Sequence, residues 1–174
     1  NYSFGDLAAG TYRIREEGAS GWTITTAPWD ITIGGGQVFD EAYIGNFRLG
    51  TITGGALFED EKGNGTRDGE PGLGDRIVFI DGDNDGVRDP GEAYRVTDPD
   101  GTYDFGLLPI GDYAIRIETP AGWELTTAPI DISITESGQT LPGGAIGLQL
   151  LPTSLSGFVG LDADDDGLID AAEQ

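Results

Sequence analysis

The chain of 174 residues carries 31 acidic and 9 basic side chains, so its formal net charge is −22 at pH 7. Nucleic acids and anionic membranes would repel this charge, which excludes both as partners held by electrostatic attraction. Cysteine, methionine and histidine are absent, which removes disulfides, thiolate nucleophiles, imidazole bases and the usual zinc ligands. No run approaches the roughly 18 apolar residues of a membrane-spanning helix, and we predict no membrane insertion.

The first segment of the chain recurs later in the sequence. Residues 2–33 align without a gap onto residues 103–134 at an offset of 101, and share aromatic residues, glycines and the run TTAP. One inserted residue near Gly138 makes the offset 102, at which residues 53–65 align onto residues 155–167. Self-similarity at a fixed period is the signature of a tandem array.

The repeat predicts three regions. Residues 1–49 are the C-terminal part of a truncated repeat, residues 50–151 are a complete repeat, and residues 152–174 are the N-terminal part of a following repeat. Two interpretations of the end pieces stay open. They are pieces of a longer array, or they complete one another between copies, in which case the equivalent of residues 73–101 is missing from the joined domain.

The complete repeat has the local pattern of β-strands throughout. The run YAIRIE alternates apolar and polar residues, as a strand with one buried face does, and clusters of Gly, Pro, Asp and Asn separate the runs. We expect an all-β fold of tandem immunoglobulin-like, Greek-key β-sandwiches. The predicted strands are 51–58, 76–80, 94–97, 102–106, 112–118, 129–134 and 145–150.

The first acidic loop of the repeat, residues 60–70, has an imperfect calcium pattern. Ca²⁺ takes 6–8 oxygen ligands, and a tight loop supplies them from alternate positions. Lys62 stands at position 3, where its ammonium cannot ligate, and the loop is one residue short. A weak site, a site that recruits Glu59 or Glu61, and no site therefore all stay open. The candidate ligands are Asp60, Asn64, Thr66, Asp68 and Glu70.

The second acidic loop, DGDNDGVRDPGE at 81–92, has the full spacing of an EF-hand-like loop. Carboxylates stand at positions 1, 3, 5, 9 and 12, glycine at position 6 permits the sharp turn, and position 7 offers a backbone carbonyl. Strand-like runs precede both loops, so no helix pair flanks them. We therefore predict a structural Ca²⁺ and not a sensor. The candidate ligands are Asp81, Asp83, Asp85, the Val87 carbonyl, Asp89 and Glu92.

Two further acidic segments follow. Asp98 and Asp100 precede a strand, and they belong either to a plain turn or to an accessory calcium site. Residues 162–173, DADDDGLIDAAE, repeat the full spacing of the 81–92 loop. The candidate ligands there are Asp162, Asp164, Asp166, the Leu168 carbonyl, Asp170 and Glu173.

Several linked motifs of the complete repeat carry a family resemblance. The order is a strand, an acidic loop, GEPGL, a second strand, then TDPDGTYDF and LLPIGDY. It resembles the calcium-binding B repeats of serine–aspartate-repeat bacterial surface adhesins, within the collagen-adhesin B-type family. The resemblance implies Ig-like domains in tandem, stiffened by Ca²⁺, that form a stalk on a bacterial surface. Many relatives carry an internal Lys–Asn isopeptide bond, whereas the single lysine here, Lys62, lies in an acidic loop.

The first functional hypothesis is a calcium-stabilised stalk or fibre module of an extracellular or cell-surface protein. Its partners are calcium and neighbouring repeats or copies in a fibre, and the short links at 48–50 and 151–154 predict a stiff rod. The alternative is an extracellular recognition module that binds glycans or a protein through loops, Trp22 or Trp29. An enzyme is not expected, because the acidic clusters match calcium spacing and no histidine is present to activate a serine.

Overall fold

The computed structural model describes residues 1–40 and 42–154. Every regular element in that part of the chain is a β-strand, and no helix there is able to cross a membrane. The strands are β1 (Gly10–Ile14), β2 (Trp22–Ile24), β3 (Trp29–Ile33), β4 (Asn46–Arg48), β5 (Gly50–Glu59), β6 (Ile77–Asp81), β7 (Tyr94–Val96), β8 (Thr102–Leu108), β9 (Gly111–Ile117), β10 (Trp123–Leu125), β11 (Ile130–Ile134), β12 (Thr140–Pro142) and β13 (Ala145–Leu150).

Strands β5 to β13 form two sheets, which we call the complete unit. In one sheet the order is β10, β13 and β5, with β12 and β8 also paired to β5. In the other the order is β11, β9, β6 and β7. The continuously apolar run of β6 suits its central position between β7 and β9, where Val78 and Phe79 are fully buried.

The hydrophobic core lies between these two sheets, as in a β-sandwich. Both sheets contribute fully buried side chains, and the alternation in β9 directs Ile115 and Ile117 into the core. The core residues are Ile52, Leu57, Val78, Tyr103, Phe105, Ile115, Ile117, Ile134, Ile146 and Leu148.

The all-β prediction is confirmed, and each of the seven predicted segments overlaps a strand. The prediction missed β10 and β12, which have three residues each and are too short to show a period. It also did not include the parallel pairing of β12 and β13 with β5. That pairing joins the last strands of the unit to its first, a non-local contact that a local pattern does not encode.

Strands β1 to β4, which we call the first unit, form two separate two-stranded ladders. These ladders have the same registers as two ladders of the complete unit. Ile14 pairs with Trp29 as Ile115 pairs with Ile130, which is the sequence offset of 101 at both positions. The β2–β4 ladder matches the β10–β13 ladder in the same way. The aligned sequences therefore form the same local structure.

The joint between the two units is short and hydrogen-bonded. Strand β4 ends at Arg48, and β5 begins two residues later. The Arg48 N–H donates to Ser137 Oγ at 2.9 Å, and the Gly138 N–H donates to the Arg48 carbonyl at 2.8 Å. The Leu49 N–H donates to the Gly21 carbonyl at 2.8 Å. Backbone groups on both sides of the joint are therefore held in place.

Candidate metal centre

The 81–92 loop begins inside the second sheet. Asp81 is the last residue of β6, where it pairs with Ala114 of β9, and it is only 3% exposed. The loop then folds back over the Asp81 carboxylate. The Asp85 N–H donates to Oδ1 at 3.2 Å, and the Gly86 N–H donates to Oδ2 at 2.8 Å. A left-handed φ of 83° at Gly86 permits the sharp turn.

Three carboxylates converge in this loop. Oxygen atoms of Asp81, Asp83 and Asp85 all lie within 4.8 Å of one another. Among the described residues, no other group of three acidic side chains brings its oxygen atoms this close together. Like charges this close repel unless a cation or a proton neutralises them. Because every donor is a hard oxygen, the set fits Ca²⁺ better than a transition metal.

The environment moves the pKa values of two of these carboxyls in opposite directions. Burial acts to raise the pKa of Asp81, but N–H donors from Gly86, Asn84 and Asp85 outweigh it and hold that pKa below its ordinary value. Desolvation and the charge of Asp85 raise the pKa of Asp83. The loop therefore stabilises the ionised form of Asp81, whereas the ionised form of Asp83 is disfavoured where no cation is bound.

The remaining predicted ligands of this loop lie at its closing end. Glu92 accepts hydrogen bonds from the Gly82 N–H at 2.5 Å and the Asp89 N–H at 2.9 Å, one on each carboxylate oxygen. The Val87 N–H donates to Asp85 Oδ1 at 2.7 Å, while the Val87 side chain is exposed. Asp89 and Glu92 thus close the loop but do not belong to the group of three convergent carboxylates.

Arg116 is a component of this site that the sequence interpretation missed. It lies on the polar face of β9, its side chain is 15% exposed, and its Nε is 4.0 Å from Asp81 Oδ2. Its Nη2 donates to Asn84 Oδ1 at 2.5 Å and to Asp131 Oδ1 at 3.0 Å. The signal was available in YAIRIE, where the arginine occupies a polar position of the strand beside β6. Arg116 thus fixes the base of the loop from the neighbouring strand.

The 60–70 loop has the same local hydrogen-bond pattern. The buried Asp60 follows β5 and accepts from the Asn64 N–H at 3.1 Å and the Gly65 N–H at 2.6 Å, the same sequence separations as in the 81–92 loop. The Thr66 N–H donates to Asn64 Oδ1 at 2.9 Å, as Val87 does to its aspartate. The shortened loop therefore keeps the hydrogen-bond pattern of the first half of the 81–92 loop.

The second half of the 60–70 loop contains a cation of its own. The Lys62 ammonium pairs with the Asp68 carboxylate, and this contact lowers the pKa of Asp68. Glu70 is 6% exposed; its Oε1 accepts from the Lys62 N–H at 3.2 Å, but its Oε2 has no hydrogen-bond partner among the described residues. Because buried polar oxygens normally have a hydrogen-bond partner, Glu70 Oε2 is the atom of this loop that the described residues leave unsatisfied.

Asp98 and Asp100 have the contacts of a turn. The Gly101 N–H donates to the Asp98 carbonyl at 2.8 Å, and the Thr102 hydroxyl donates to Asp100 Oδ1 at 2.7 Å. These Thr102 hydrogen bonds lower the pKa of Asp100. The buried Thr97, which the sequence interpretation did not single out, donates its hydroxyl to the Leu73 carbonyl at 2.7 Å. The third predicted loop, with Asp162, Asp164, Asp166, Leu168, Asp170 and Glu173, lies outside the described residues.

The tryptophans named for the recognition hypothesis lie in the first unit. Trp22 in β2 is 46% exposed, and Trp29 in β3 is half-buried. The equivalent of Trp22 in the complete unit, Trp123, packs against the core. The exposure of Trp22 therefore has a structural explanation in the incomplete packing of the first unit.

No family model matches the chain, and no curated protein matches it. Solved structures that it resembles include a streptococcal ancillary pilin (18% identity, 84% of this chain and 44% of the pilin, TM-score 0.41). They also include a variant of the major pilin subunit of Bacillus cereus (20%, 61% and 34%, 0.40) and a minor pilin of Streptococcus agalactiae (17%, 90% and 66%, 0.40). This chain spans less than two thirds of each of these pilins.

Proposed function

We propose that the chain is a calcium-stabilised structural module of a bacterial extracellular or cell-surface protein, acting as part of a stalk or fibre. The observation that carries the proposal is the convergence of Asp81, Asp83 and Asp85 within 4.8 Å at the end of a central strand. Asp81, Asp83, Asp85, the Val87 carbonyl, Asp89 and Glu92 would hold the cation. Calcium would neutralise the crowded carboxylates and tie β6 to the loop that leads into β7.

A structural role for the cation follows from what surrounds the loop. The strands β6 and β7 that flank it lie in one sheet and pair with each other over three residue pairs, and no helix pair is present among the described residues to swing open. The 60–70 loop follows β5, which lies in the other sheet. A cation bound there, with weaker affinity, would tie β5 to its own loop in the same way. Cations at these two loops would stabilise one end of each sheet.

The stalk role is supported by the joint and by the repeat. Matched registers at offsets of 101 and 102 fit units of one kind in succession. The hydrogen bonds around Arg48 and Leu49 leave little freedom between neighbours. The recognition alternative has no specific support. Trp22 is exposed, but its counterpart Trp123 packs against the core, so this position has a structural role in the complete unit. The acidic clusters are likewise explained by calcium spacing without an enzyme.

Calcium-dependent unfolding of the full chain tests the proposal. At free calcium one hundred times the dissociation constant, mass action stabilises the fold by about 2.7 kcal/mol per site. The melting temperature should then rise by about 10 °C over that in excess chelator. Asp83→Asn should remove most of the rise, because it removes one of the three convergent carboxylates. A melting curve that calcium leaves unchanged would contradict the proposal.

The matched control is Asp112→Asn. It also removes one negative charge, but Asp112 lies on β9 outside both loops and accepts a hydrogen bond from Ser133, which an amide oxygen also accepts. This variant should keep the full calcium response. An equal loss in both variants would show that calcium acts through net charge and not through a site.

A further inference from the structure

The residue that is inserted into the complete unit lies at its joint with the first unit. The loop between β11 and β12, residues 135–139, is one residue longer than its counterpart at 34–37. Each loop ends in a glutamine, Gln139 or Gln37, whose side chain accepts from the first N–H of its own loop at 2.8 Å. The other residues are TESG in the complete unit and GGG in the first unit. The longer loop therefore has a hydroxyl, that of Ser137, for which the shorter loop has no equivalent.

The 135–139 loop binds the backbone at the end of the first unit. The Leu49 N–H donates within the first unit, and the N–H and C=O of Arg48 point the other way, because successive residues of a strand direct these groups to opposite sides. Ser137 Oγ accepts from the Arg48 N–H at 2.9 Å, and the Gly138 N–H donates to the Arg48 carbonyl at 2.8 Å. The end of β4 is therefore held on one side by its own unit and on the other by the complete unit.

The same segment then pairs with the complete unit itself. The Thr51 N–H donates to the Gln139 carbonyl at 2.9 Å, and Thr51 is the partner of Thr140 in the parallel ladder of β12 and β5. Gly50 suits this close approach, because an added Cβ would lie 2.8 Å from the Gln139 carbonyl oxygen. Residues 137–142 thus pair first with the end of β4 and then with the start of β5. One run of hydrogen bonds spans the single residue between these strands.

A second contact crosses the joint from the hairpin of β8 and β9. A Cβ added at Gly21 would lie 3.8 Å from Leu107 Cδ2, so the leucine side chain reaches the turn that precedes β2. The register of β8 against β5 shifts close to this leucine, and such an irregularity redirects a side chain. The hairpin therefore directs an apolar side chain of the complete unit to the first unit.

Leu107 has a backbone conformation that leucine disfavours. Its φ is 58°, and the aligned Asp6 has a φ of 56°, so the hairpin has a left-handed residue in both units. Aspartate and asparagine adopt this conformation more readily than leucine does. The Leu107 side chain is 59% exposed and so gains little from its own core. The contact across the joint is therefore the feature that favours leucine at this position.

We propose that Leu107, Ser137 and Gly138 form a clamp that fixes the angle between the first unit and the complete unit. The inference rests on the stalk part of the proposed function and deepens it, because it names the residues that stiffen a joint. Neighbouring domains move relative to one another unless contacts between them prevent it. The residues of the clamp belong to neither the 60–70 loop nor the 81–92 loop, so the joint should be equally stiff in calcium and in chelator.

The distance between two spin labels on the full chain tests the clamp. The chain contains no cysteine, so Thr25→Cys and Glu124→Cys place one label beside β2 and one on β10. Both side chains are exposed, and the Thr25 N–H donates to the Gly45 carbonyl, which ties the first label to the ladder of β2 and β4. The otherwise unaltered chain should give one narrow distance distribution, with calcium and with chelator.

The joint variant adds Leu107→Asn and Ser137→Ala to the labelled chain. It removes the apolar contact and the hydroxyl acceptor without a change in net charge, and the distance distribution should become about twofold broader as the units move. The melting temperature should change by no more than about 3 °C, because both side chains are exposed and asparagine relieves the left-handed backbone. A broader distribution at unchanged stability separates a role at the joint from a role in the fold of the unit.

The matched control carries Ile110→Asn and Ser133→Ala. Ile110 lies close to Leu107 in the chain and is also 59% exposed, and the Ser133 hydroxyl donates to Asp112 within the complete unit. The control should keep the narrow distribution. A broad distribution in the unaltered chain, one that narrows only with calcium, or no greater broadening in the joint variant than in the control would overturn the inference. A melting curve that calcium leaves unchanged would instead contradict the calcium part of the proposed function and leave the clamp standing.

Discussion

The first unit and the complete unit share the registers of two ladders, yet they bury aligned aromatic side chains differently. Tyr103 and Phe105 are core residues, while Tyr2 and Phe4 are largely in water. The difference does not come from local sequence, since the β1–β3 ladder reproduces the register of β9–β11 residue by residue. It comes from β5 and β6, which close the sandwich in one unit and have no counterpart among the described residues of the other.

The candidate calcium loops belong to those same closing strands. Asp60 follows β5, and Asp81 is the last residue of β6. Within the described residues the first unit, which lacks both strands, has no comparable carboxylate cluster. The strands that complete the hydrophobic core are therefore the ones that calcium would hold, so metal binding and core closure are expected to be coupled.

The largest expected effect comes from removing the same aromatic ring in each unit. Phe105→Ala should cost about 3–5 kcal/mol of unfolding free energy, because the ring is fully buried and leaves a cavity. Phe4→Ala should cost about 0.5 kcal/mol or less in dilute solution, as exposed positions do. Denaturant unfolding of the full chain measures both. Equal losses would show that the first unit is closed in solution.

Calcium should slow amide hydrogen exchange more in the complete unit than in the first unit. If calcium at one hundred times its dissociation constant stabilises the complete unit, amide hydrogen exchange through global opening should slow by about 100-fold in β5 to β9. Amides of β1 to β4 should change much less, because no calcium loop lies there. Exchange followed by mass spectrometry provides this comparison. Uniform protection across both units would contradict a local calcium effect.

A smaller difference should come from the hydroxyl of the paired tyrosines. The Tyr103 hydroxyl donates to the Gly143 carbonyl at 2.6 Å inside the core, and burial raises the pKa of this phenol. Tyr103→Phe leaves that carbonyl without a partner and should cost about 1–2 kcal/mol. Tyr2→Phe removes an exposed hydrogen bond to the Ala42 carbonyl and should cost close to nothing. Thermal melting of both variants tests the pair.

The sequence predicted the strands and the loops better than their assembly. The alternation in YAIRIE and the apolar run IVFI indicate strands, because the pattern of apolar residues shows which faces of a strand are buried. The alternate carboxylates indicate a cation site, because all the ligands come from one short loop. The parallel pairing of β13 with β5, the burial of Glu70 and the place of Arg116 beneath Asp81 all depend on residues far apart in the chain. Glu70 also illustrates a limit of spacing rules, since the shortened loop still buries this carboxylate without a partner for Oε2.

The smallest expected effect on stability, and the sharpest test of the two acidic loops, comes from position 3. In the 81–92 loop this position holds Asp83, and in the 60–70 loop it holds Lys62, whose ammonium pairs with Asp68. Lys62→Asp should change the unfolding free energy in chelator only slightly, because exposed ion pairs contribute little. It should raise the calcium affinity of the 60–70 loop by about tenfold or more, since it exchanges a repelling cation for a ligand.

Lys62→Gln is the control that removes the cation without adding a carboxylate. Its calcium affinity should lie between that of the unchanged loop and that of Lys62→Asp. Titration calorimetry of both variants, in a background that also carries Asp83→Asn and Asp164→Asn to weaken the other two candidate loops, isolates this site. If neither variant binds calcium more tightly, Lys62 does not set the affinity of this loop. The missing residue then sets it, because Glu70 closes the loop one position too early.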